Sequence, residues 1–175
     1  SSTNNEAKRL AADDAVEGTI VVSEAQTLGR GRLNRGWFSP PGGGVWVSVI
    51  LRPPFPPQEA PKCTLMAAVA TVEAIREVSG LACGIKWPND ILWQGRKLVG
   101  ILTEMSAEMD AINFVVLGIG INVSLQKNDF PEELRNIGAS ISMGAGREVS
   151  SVEVLQKLLE RLEYWYDVVK KEGFE

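Results

Sequence analysis

Apolar positions recur along the chain with two different periods, and the change from one to the other predicts the order of helices and strands. Helical spacing is found in segments 2–15, 62–80 and 151–171. Period-2 alternation or a continuous β-branched run is found in segments 18–26, 45–53, 84–87, 91–94, 97–106 and 112–123. We therefore predict an alternation of helices and strands without internal repeats.

Local signals support the ends of these elements. Thr3 with Glu6, and Ser150 with Glu153, have the spacing of capping boxes, so helices are expected to begin there. Gly80 and Gly173 are the expected helix ends. The fold class that follows is α/β (α+β), with a mixed, largely antiparallel sheet that carries helices. The sequence lacks a GxGxxG turn that opens a helix and a Walker lysine loop, which disfavours a Rossmann or P-loop site.

Composition narrows the possible functions. The chain has 175 residues, 45% of them hydrophobic, and a formal net charge of -4. One globular domain is expected, and the negative charge disfavours a general nucleic-acid binder. The two cysteines have no CxxC spacing, and no apolar run is long enough to span a bilayer. We therefore expect a cytoplasmic protein without a membrane partner.

Histidine is absent from the sequence. Its absence excludes Ser-His and Cys-His nucleophilic pairs, HExxH zinc sites and an imidazole general base. An enzyme built on this chain would have to use lysine, arginine, carboxylates, backbone amides or a bound metal.

The segment GRGRLNRGWFSPPGGG, residues 29–44, concentrates positive charge on an acidic chain. One interpretation is a solvated surface loop between two strands. The other is a loop that closes over a phosphate-bearing ligand with glycine amides and arginine forks. Trp37 and Phe38 favour the second interpretation, because exposed aromatic side chains would cost solubility unless they covered something. This hypothesis predicts a loop that is disordered without ligand and ordered with it.

Three further motifs each allow a structural explanation and a functional one. KWPND, residues 86–90, is either a polar turn or a group of functional side chains at a strand end. KLVGIL, residues 97–102, begins with a lysine that could protect a strand edge, and Gly100 would allow a ligand or backbone to approach closely. GIGINV, residues 118–123, could simply be a tightly packed core strand.

Together these motifs are more specific than any of them alone. SSTN, QTLGRGRLNRGWFSP, KWPNDI, KLVGILTE and GIGINV follow one another in the order and approximate spacing found in biotin protein ligases. The sequence resembles the catalytic domain of that family over nearly its whole length. The loop matches every fixed position of the pattern GRGRxxRxW.

The resemblance implies a two-step reaction and the fold shared with class II aminoacyl-tRNA synthetases. Biotin and Mg²⁺-bound ATP would first give biotinyl-adenylate and pyrophosphate. A lysine on a biotin carboxyl carrier domain, of acetyl-CoA carboxylase or another biotin enzyme, would then attack the adenylate. This chemistry needs local positive charge at the α-phosphate rather than histidine.

The family's functional residues carry over to matching positions of this chain. The resemblance implies catalytic roles for Lys97, Arg30 and Arg32. It implies biotin contacts from Ser2, Thr3, Gln26, Gly29, Arg30, Arg32, Lys97, Gly100, Gly118 and Ile121. It implies nucleotide contacts from Arg30, Arg32, Arg35, Trp37, Lys86, Asn89, Lys97 and Asn122. Asp90 belongs to the same KWPND motif, and no protein-held metal is expected.

The resemblance also sets expectations for organisation and leaves two alternatives. Residues 1–175 would form one catalytic domain, without an N-terminal DNA-binding domain and with the small C-terminal β domain absent or truncated. A homodimer is possible, and no nucleic-acid partner is expected. A lipoate or octanoate ligase of the same fold is one alternative. A non-enzymatic module that binds biotin, or binds nucleic acid through its RG-rich arm, is the other.

Overall fold

Six strands form one open sheet in the computed structural model, which describes residues 1–174. Along the chain they are Ile20–Ser23 (β1), Gly44–Leu51 (β2), Gly84–Lys86 (β3), Asp90–Trp93 (β4), Arg96–Glu108 (β5) and Ala111–Asn122 (β6). Their order across the sheet is β1-β2-β6-β5-β4-β3, and every neighbouring pair is antiparallel. The α/β class is confirmed, and the six named strands contain no parallel pair.

Four helices accompany the sheet within the described residues. They are Thr3–Ala12 (α1), Lys62–Ser79 (α2), Ile141–Ala145 (α3) and Ser151–Glu172 (α4). None of the helices among residues 1–174 has the length and apolar character needed to cross a membrane. The three longer ones confirm the sequence prediction, whereas the short α3 was not predicted.

Capping explains where the helices begin. Ser2, not Thr3, is the N-cap of α1, and its Oγ accepts a hydrogen bond from the backbone N–H of Asn5 at 3.1 Å. Ser150 caps α4 as predicted, with its Oγ 3.2 Å from the backbone nitrogen of Glu153. Gly80 ends α2 with a φ of 75°, which favours glycine.

The two faces of the sheet have different partners because side chains alternate along each strand. On β2 and β6 the odd-numbered residues, such as Val47 and Ile119, join α2 and α4 in the main hydrophobic core. The even-numbered residues face α1, where Ile50 and Val116 form a smaller apolar cluster with two alanines of α1. Gly118, Gly120 and Asn122 follow on this second face, beyond the N-terminus of α1.

Arg52 holds α1 in place from its C-terminal end. Its guanidinium donates hydrogen bonds to the carbonyl oxygens of Ala11 at 2.9 Å, Ala15 at 2.7 Å and Asn113 at 3.0 Å. The carbonyls of Ala11 and Ala15 lie in the last turn of α1 and just beyond it, where backbone acceptors lack intrahelical donors, whereas Asn113 belongs to β6. The clamp directs the opposite end of α1, residues 2–5, towards the glycine-bearing ends of β5 and β6.

Candidate functional site

A cavity of about 490 Å³ opens on the α1 face of the sheet. Its walls come from the N-terminus of α1, the arginine/glycine loop between β1 and β2, the KWPND turn, the N-terminal half of β5, the C-terminal end of β6, and the segment 130–138. The motifs that the sequence analysis selected are thus brought together around one space. Of the predicted site residues, those that line it are Ser2, Thr3, Gln26, Arg30, Arg32, Arg35, Trp37, Lys86, Asn89, Lys97, Gly100, Gly118 and Asn122.

Three glycines form the floor of the cavity and leave room for side chains from other segments. A Cβ on Gly100 would lie 3.1 Å from the Trp37 ring, and one on Gly120 would overlap the indole nitrogen of Trp37. A Cβ on Gly118 would overlap the side-chain oxygen of Asn4. A close approach was predicted at Gly100, and the group that makes it is the Trp37 side chain.

Polar groups gather at the α1 end of the cavity. The side-chain oxygen of Gln26 accepts hydrogen bonds from the backbone N–H of Thr3 at 2.8 Å and from its hydroxyl at 3.2 Å. The amide nitrogen of Gln26 donates to the Ser39 hydroxyl at 3.0 Å. This network fixes a donor- and acceptor-rich wall, suited to a small polar ring, beside the apolar floor.

Positive charge predominates among the charged residues of the lining. Five cationic residues line the cavity, and Asp90 is the one acidic residue among its described lining residues. The cationic residues are Arg30, Arg32, Arg35, Lys86 and Lys97. A chain with a formal net charge of -4 therefore concentrates an excess of positive charge at one place. Such a concentration attracts a polyanionic ligand.

The five cations differ in what they contact. Lys97 lies with its Nζ 3.0 Å from Asp90 Oδ1 and 5.1 Å from the centre of the Trp37 ring. Arg30 is paired with Glu104. Arg32, Arg35 and Lys86 are exposed, and within residues 1–174 they have no side-chain hydrogen bond or ion pair. These three cations can bind an incoming anion without first giving up a protein partner.

Trp37, Asn89 and Asn122, which were predicted to lie on the nucleotide side, all line the cavity. The indole N–H of Trp37 is buried and has no hydrogen-bond partner among the described residues. Asn89 donates to the carbonyl oxygen of Ile101 at 3.2 Å, and Asn122 donates to that of Ala139 at 3.1 Å. The two asparagine nitrogens therefore hold the walls together, and the assignment of all three residues to the nucleotide stays a prediction.

Two predicted site residues lie outside the cavity lining. Ile121 is fully buried in the core with α2 and α4, because alternation along β6 turns it away from the face that carries Gly120 and Asn122. Gly29 is the first residue of the loop and faces away from the cavity, where a Cβ would be 2.9 Å from the Ser39 hydroxyl oxygen. Gly29 thus shapes the base of the loop without lining the cavity.

No role was predicted for Asn4 or Glu104, although Asn4 lies in the SSTN motif and Glu104 in the KLVGILTE motif. Asn4 is 6% exposed and lines the cavity. The two consecutive asparagines in the first turn of α1, Asn4 and Asn5, are a signal that could have identified it, since asparagine has low helix propensity. Glu104 lies seven residues after Lys97 on β5. Period-2 alternation places it on the face of Gly100.

The ionisation of Glu104 follows from its three partners. Burial acts to raise the pKa of this carboxyl group, but hydrogen bonds from Lys8, Asn4 and Arg30, together with the charge of Arg30, outweigh burial and lower it. Glu104 is therefore an anion at neutral pH. The described residues contain no cluster of three or more histidine, cysteine, aspartate or glutamate side chains that could hold a metal ion.

Comparison with known proteins shows the family. The model of the biotin/lipoate A/B protein ligase family matches residues 1–122. The bifunctional ligase/repressor BirA of Bacillus subtilis (strain 168) is 51% identical over 174 residues, which is 99% of this chain and 54% of that relative. A biotin--[acetyl-CoA-carboxylase] ligase of Paracoccus denitrificans is 38% identical over 130 residues, 70% of this chain and 51% of that relative.

A solved structure agrees with both the fold and the family. The biotin protein ligase from Aquifex aeolicus in complex with biotin and ATP superimposes with a TM-score of 0.83 at 32% identity, over 99% of this chain and 69% of that one. The chain therefore belongs to the biotin/lipoate A/B protein ligase family. The resemblance to the catalytic domain of biotin protein ligases is confirmed. The chain spans about half the length of the curated relatives it matches.

Proposed function

We propose that this chain is the catalytic domain of an enzyme that attaches biotin to a lysine of a biotin carboxyl carrier domain, through biotinyl-adenylate. The observation that carries the proposal is the shared cavity, which has a polar wall at Gln26, a glycine floor and five cationic residues. A bicyclic ring with a polar edge fits the first two features, and a triphosphate fits the third. The comparison structure from Aquifex aeolicus holds biotin and ATP.

The division of the cavity suggests how the substrates would lie. Biotin would place its ureido ring against Thr3 and Gln26, with its carboxylate directed towards Lys97. ATP, with Mg²⁺, would place its phosphates among Arg32, Arg35 and Lys86. The carboxylate and the α-phosphate would then meet beside Lys97, so that both negative charges share one cationic neighbour.

The first step would be an in-line displacement at phosphorus. A carboxylate oxygen of biotin would attack the α-phosphorus, and the bond to pyrophosphate would break. Lys97 and the loop arginines would reduce the repulsion between the two anions and stabilise the charge of the transition state. No proton has to be abstracted in this step, which agrees with a chain that lacks histidine.

The second step would use the adenylate as an acyl donor. The neutral amine of the carrier lysine would attack the acyl carbon, AMP would leave, and the nitrogen would lose one proton as the amide bond forms. The arginine/glycine loop would cover the adenylate and exclude water until the carrier arrives. We place this reaction in the cytoplasm, where the two free cysteines of the chain would stay reduced.

Pyrophosphate exchange into ATP tests the first step directly. With Mg²⁺ present, we expect exchange that requires biotin and is not supported by lipoate. Lys97→Ala should lower the rate by about 10²–10³-fold, the usual cost of removing one donor to a developing charge. Lys127→Ala, a change at an exposed lysine outside the cavity, is the matched control and should leave the rate unchanged.

The alternatives give different results in the same assay. Exchange with lipoate but not with biotin would assign the chain to a lipoate ligase. Absence of exchange with either acid, together with calorimetric binding of biotin, would favour a non-enzymatic biotin-binding module. Transfer to a purified carrier domain, followed by mass spectrometry of its lysine, tests the second step.

A further inference from the structure

Ser48 carries a fully buried hydroxyl group behind the polar wall of the cavity. It lies on β2 directly opposite Gly118 of β6, and its exposed fraction is 0%. Its Oγ is 2.5 Å from the side-chain oxygen of Asn4 and 2.7 Å from the hydroxyl oxygen of Thr3. Both of these neighbours line the cavity, whereas Ser48 does not. Ser48 can therefore act on a ligand only through Thr3 and Asn4.

The orientation of the Asn4 amide follows from its other contacts. Its nitrogen is 3.2 Å from the carbonyl oxygen of Leu102 and 3.0 Å from Glu104 Oε1. A carbonyl group and an ionised carboxylate only accept hydrogen bonds, so the donating end of the amide must face them. The amide oxygen of Asn4 is thereby turned towards Ser48, and this oxygen also only accepts. The single hydroxyl proton of Ser48 is therefore donated to Asn4.

This assignment fixes the direction of the next hydrogen bond. If Ser48 donated to Thr3 instead, two oxygens without a proton between them would lie 2.5 Å apart at Asn4, which is unfavourable. Because its own proton is used, Ser48 can only accept from Thr3 across the 2.7 Å contact. The other acceptor near the Thr3 proton is the side-chain oxygen of Gln26, at 3.2 Å. Both acceptors belong to the protein, so the Thr3 hydroxyl group offers a ligand only its lone pairs.

We infer that Ser48 is a positioning residue that sets the polarity of the ligand wall: by accepting the Thr3 proton, it makes the Thr3 hydroxyl group a hydrogen-bond acceptor. A ligand ring must then present an N–H group to Thr3, because a ring oxygen at that place would bring lone pairs against lone pairs. A ureido ring carries two N–H groups and meets this requirement. The part of the inference that concerns the ring rests on the proposed function, whereas the order of protons among Asn4, Ser48 and Thr3 does not.

Two ring-oxygen analogues of biotin test this polarity. Each analogue replaces one ureido N–H group by an ether oxygen of nearly the same size, so that the polarity of a single ring position changes. The dissociation constants of biotin and of both analogues would be measured by calorimetry, for the wild-type chain and for Ser48→Ala. We expect the wild type to bind one analogue about 10²-fold more weakly than biotin, because the Thr3 acceptor is then left without a donor.

Ser48→Ala should relax this discrimination at one ring position. In this variant the Thr3 hydroxyl group loses its nearer acceptor and can turn its proton into the cavity. The ratio of dissociation constants, analogue to biotin, should fall by about tenfold for the analogue that the wild type rejects and stay within about twofold for the other. A merely structural role would weaken all three ligands equally, and unchanged ratios would therefore overturn the inference. Acceptance of both analogues by the wild type would overturn it as well.

A second buried serine supplies the matched control. Ser142 is 6% exposed and lies outside the cavity lining, and its hydroxyl group has no hydrogen-bond partner within residues 1–174. Ser142→Ala should therefore leave both ratios as in the wild type. If Ser48→Ala does not fold, Ser48→Cys retains a weak donor and acceptor and should lower the same ratio to a smaller extent. An unchanged ratio in Ser48→Cys would then overturn the inference.

Biotin-dependent pyrophosphate exchange supplies the kinetic test. We expect Ser48→Ala to raise the KM for biotin by about three- to tenfold, the usual effect of one hydrogen bond. The kcat should stay within about twofold of the wild type, because Ser48 lies outside the cavity and touches no reacting atom. A lower kcat at an unchanged KM would contradict a positioning role.

Urea unfolding tests the hydrogen bond between Ser48 and Thr3 without a ligand. Thr3→Val removes the hydroxyl group at nearly constant size. The loss of unfolding free energy in the double variant Thr3→Val/Ser48→Ala should be smaller than the sum of the two single losses. Additive losses would overturn the inference. A wild-type chain that neither binds biotin nor shows exchange would refute the proposed function instead, and the unfolding comparison would still decide whether Ser48 acts on Thr3.

Discussion

Gly118→Ala tests whether the close packing at the floor of the cavity is required for the fold. A Cβ at this position would overlap the side-chain oxygen of Asn4 and lie 2.8 Å from its Cγ and 2.9 Å from its Nδ2. Asn4 is 6% exposed, and three hydrogen bonds hold its amide in this position at the wall of the cavity. The added methyl group must therefore displace the whole amide.

The cost of that displacement follows from the bonds of Asn4. Its oxygen accepts from the Ser48 hydroxyl at 2.5 Å, and its nitrogen donates to the carbonyl oxygen of Leu102 at 3.2 Å and to Glu104 at 3.0 Å. Two neutral hydrogen bonds and one to a carboxylate together contribute about 2.5–6 kcal/mol net. For a domain of this size, that loss corresponds to a fall in Tm of about 5–25 °C.

Thermal unfolding followed by circular dichroism measures this effect. Gly84→Ala is the matched control, since nothing lies within 4 Å of its Cβ, and its Tm should be unchanged or slightly higher. Asn4→Ala removes the group that Gly118→Ala displaces, so the double variant should be no less stable than Asn4→Ala alone. A Tm of Gly118→Ala within about 1 °C of the wild type would refute the reasoning.

Three further predictions concern groups outside the reaction. The pKa of the Glu104 carboxyl group is lowered, so the stabilisation by its ionised form is fully present above the ordinary pKa of 4.5 and is lost as the pH falls through the lowered pKa. The difference in free energy of unfolding between the wild type and Glu104→Gln, measured with urea, should therefore shrink only in acid. Burial raises the pKa of Cys63 to about 12 and of Cys83 to about 11, so iodoacetamide at pH 7.5 should label them only after unfolding. Tyr166→Phe removes a 2.7 Å hydrogen bond to Glu17 and should cost about 1–2 kcal/mol in urea unfolding.

Periodicity and capping signals determined most of the fold. The three long helices and the strands follow from local patterns, because helix and strand periods and N-cap side chains act over only a few residues. The motifs around Lys97 and the loop arginines were also recognisable from their residue types and order. The sequence alone likewise restricted the chemistry, since a chain without histidine has no imidazole base.

Tertiary structure decided which of those residues meet. Strand pairing places Gly100 opposite Gly120, and only this register shows that Trp37 lies across both glycines. The phase of β6 turns Ile121 into the core, although it stands in the same motif as Asn122. In a continuously apolar strand, the sequence does not show which set of alternate residues faces the core. The segments that pack on each face of the sheet decide this.

The contacts of Glu104 have the same origin. Arg30 and Glu104 are 74 positions apart, and no local pattern links them. Their contact exists because β5 runs beside β6 under α1, and because Arg52 fixes the direction of α1. Local interactions thus specify the elements and the candidate chemistry, whereas the orientation of each charged side chain depends on packing between segments that are distant in sequence.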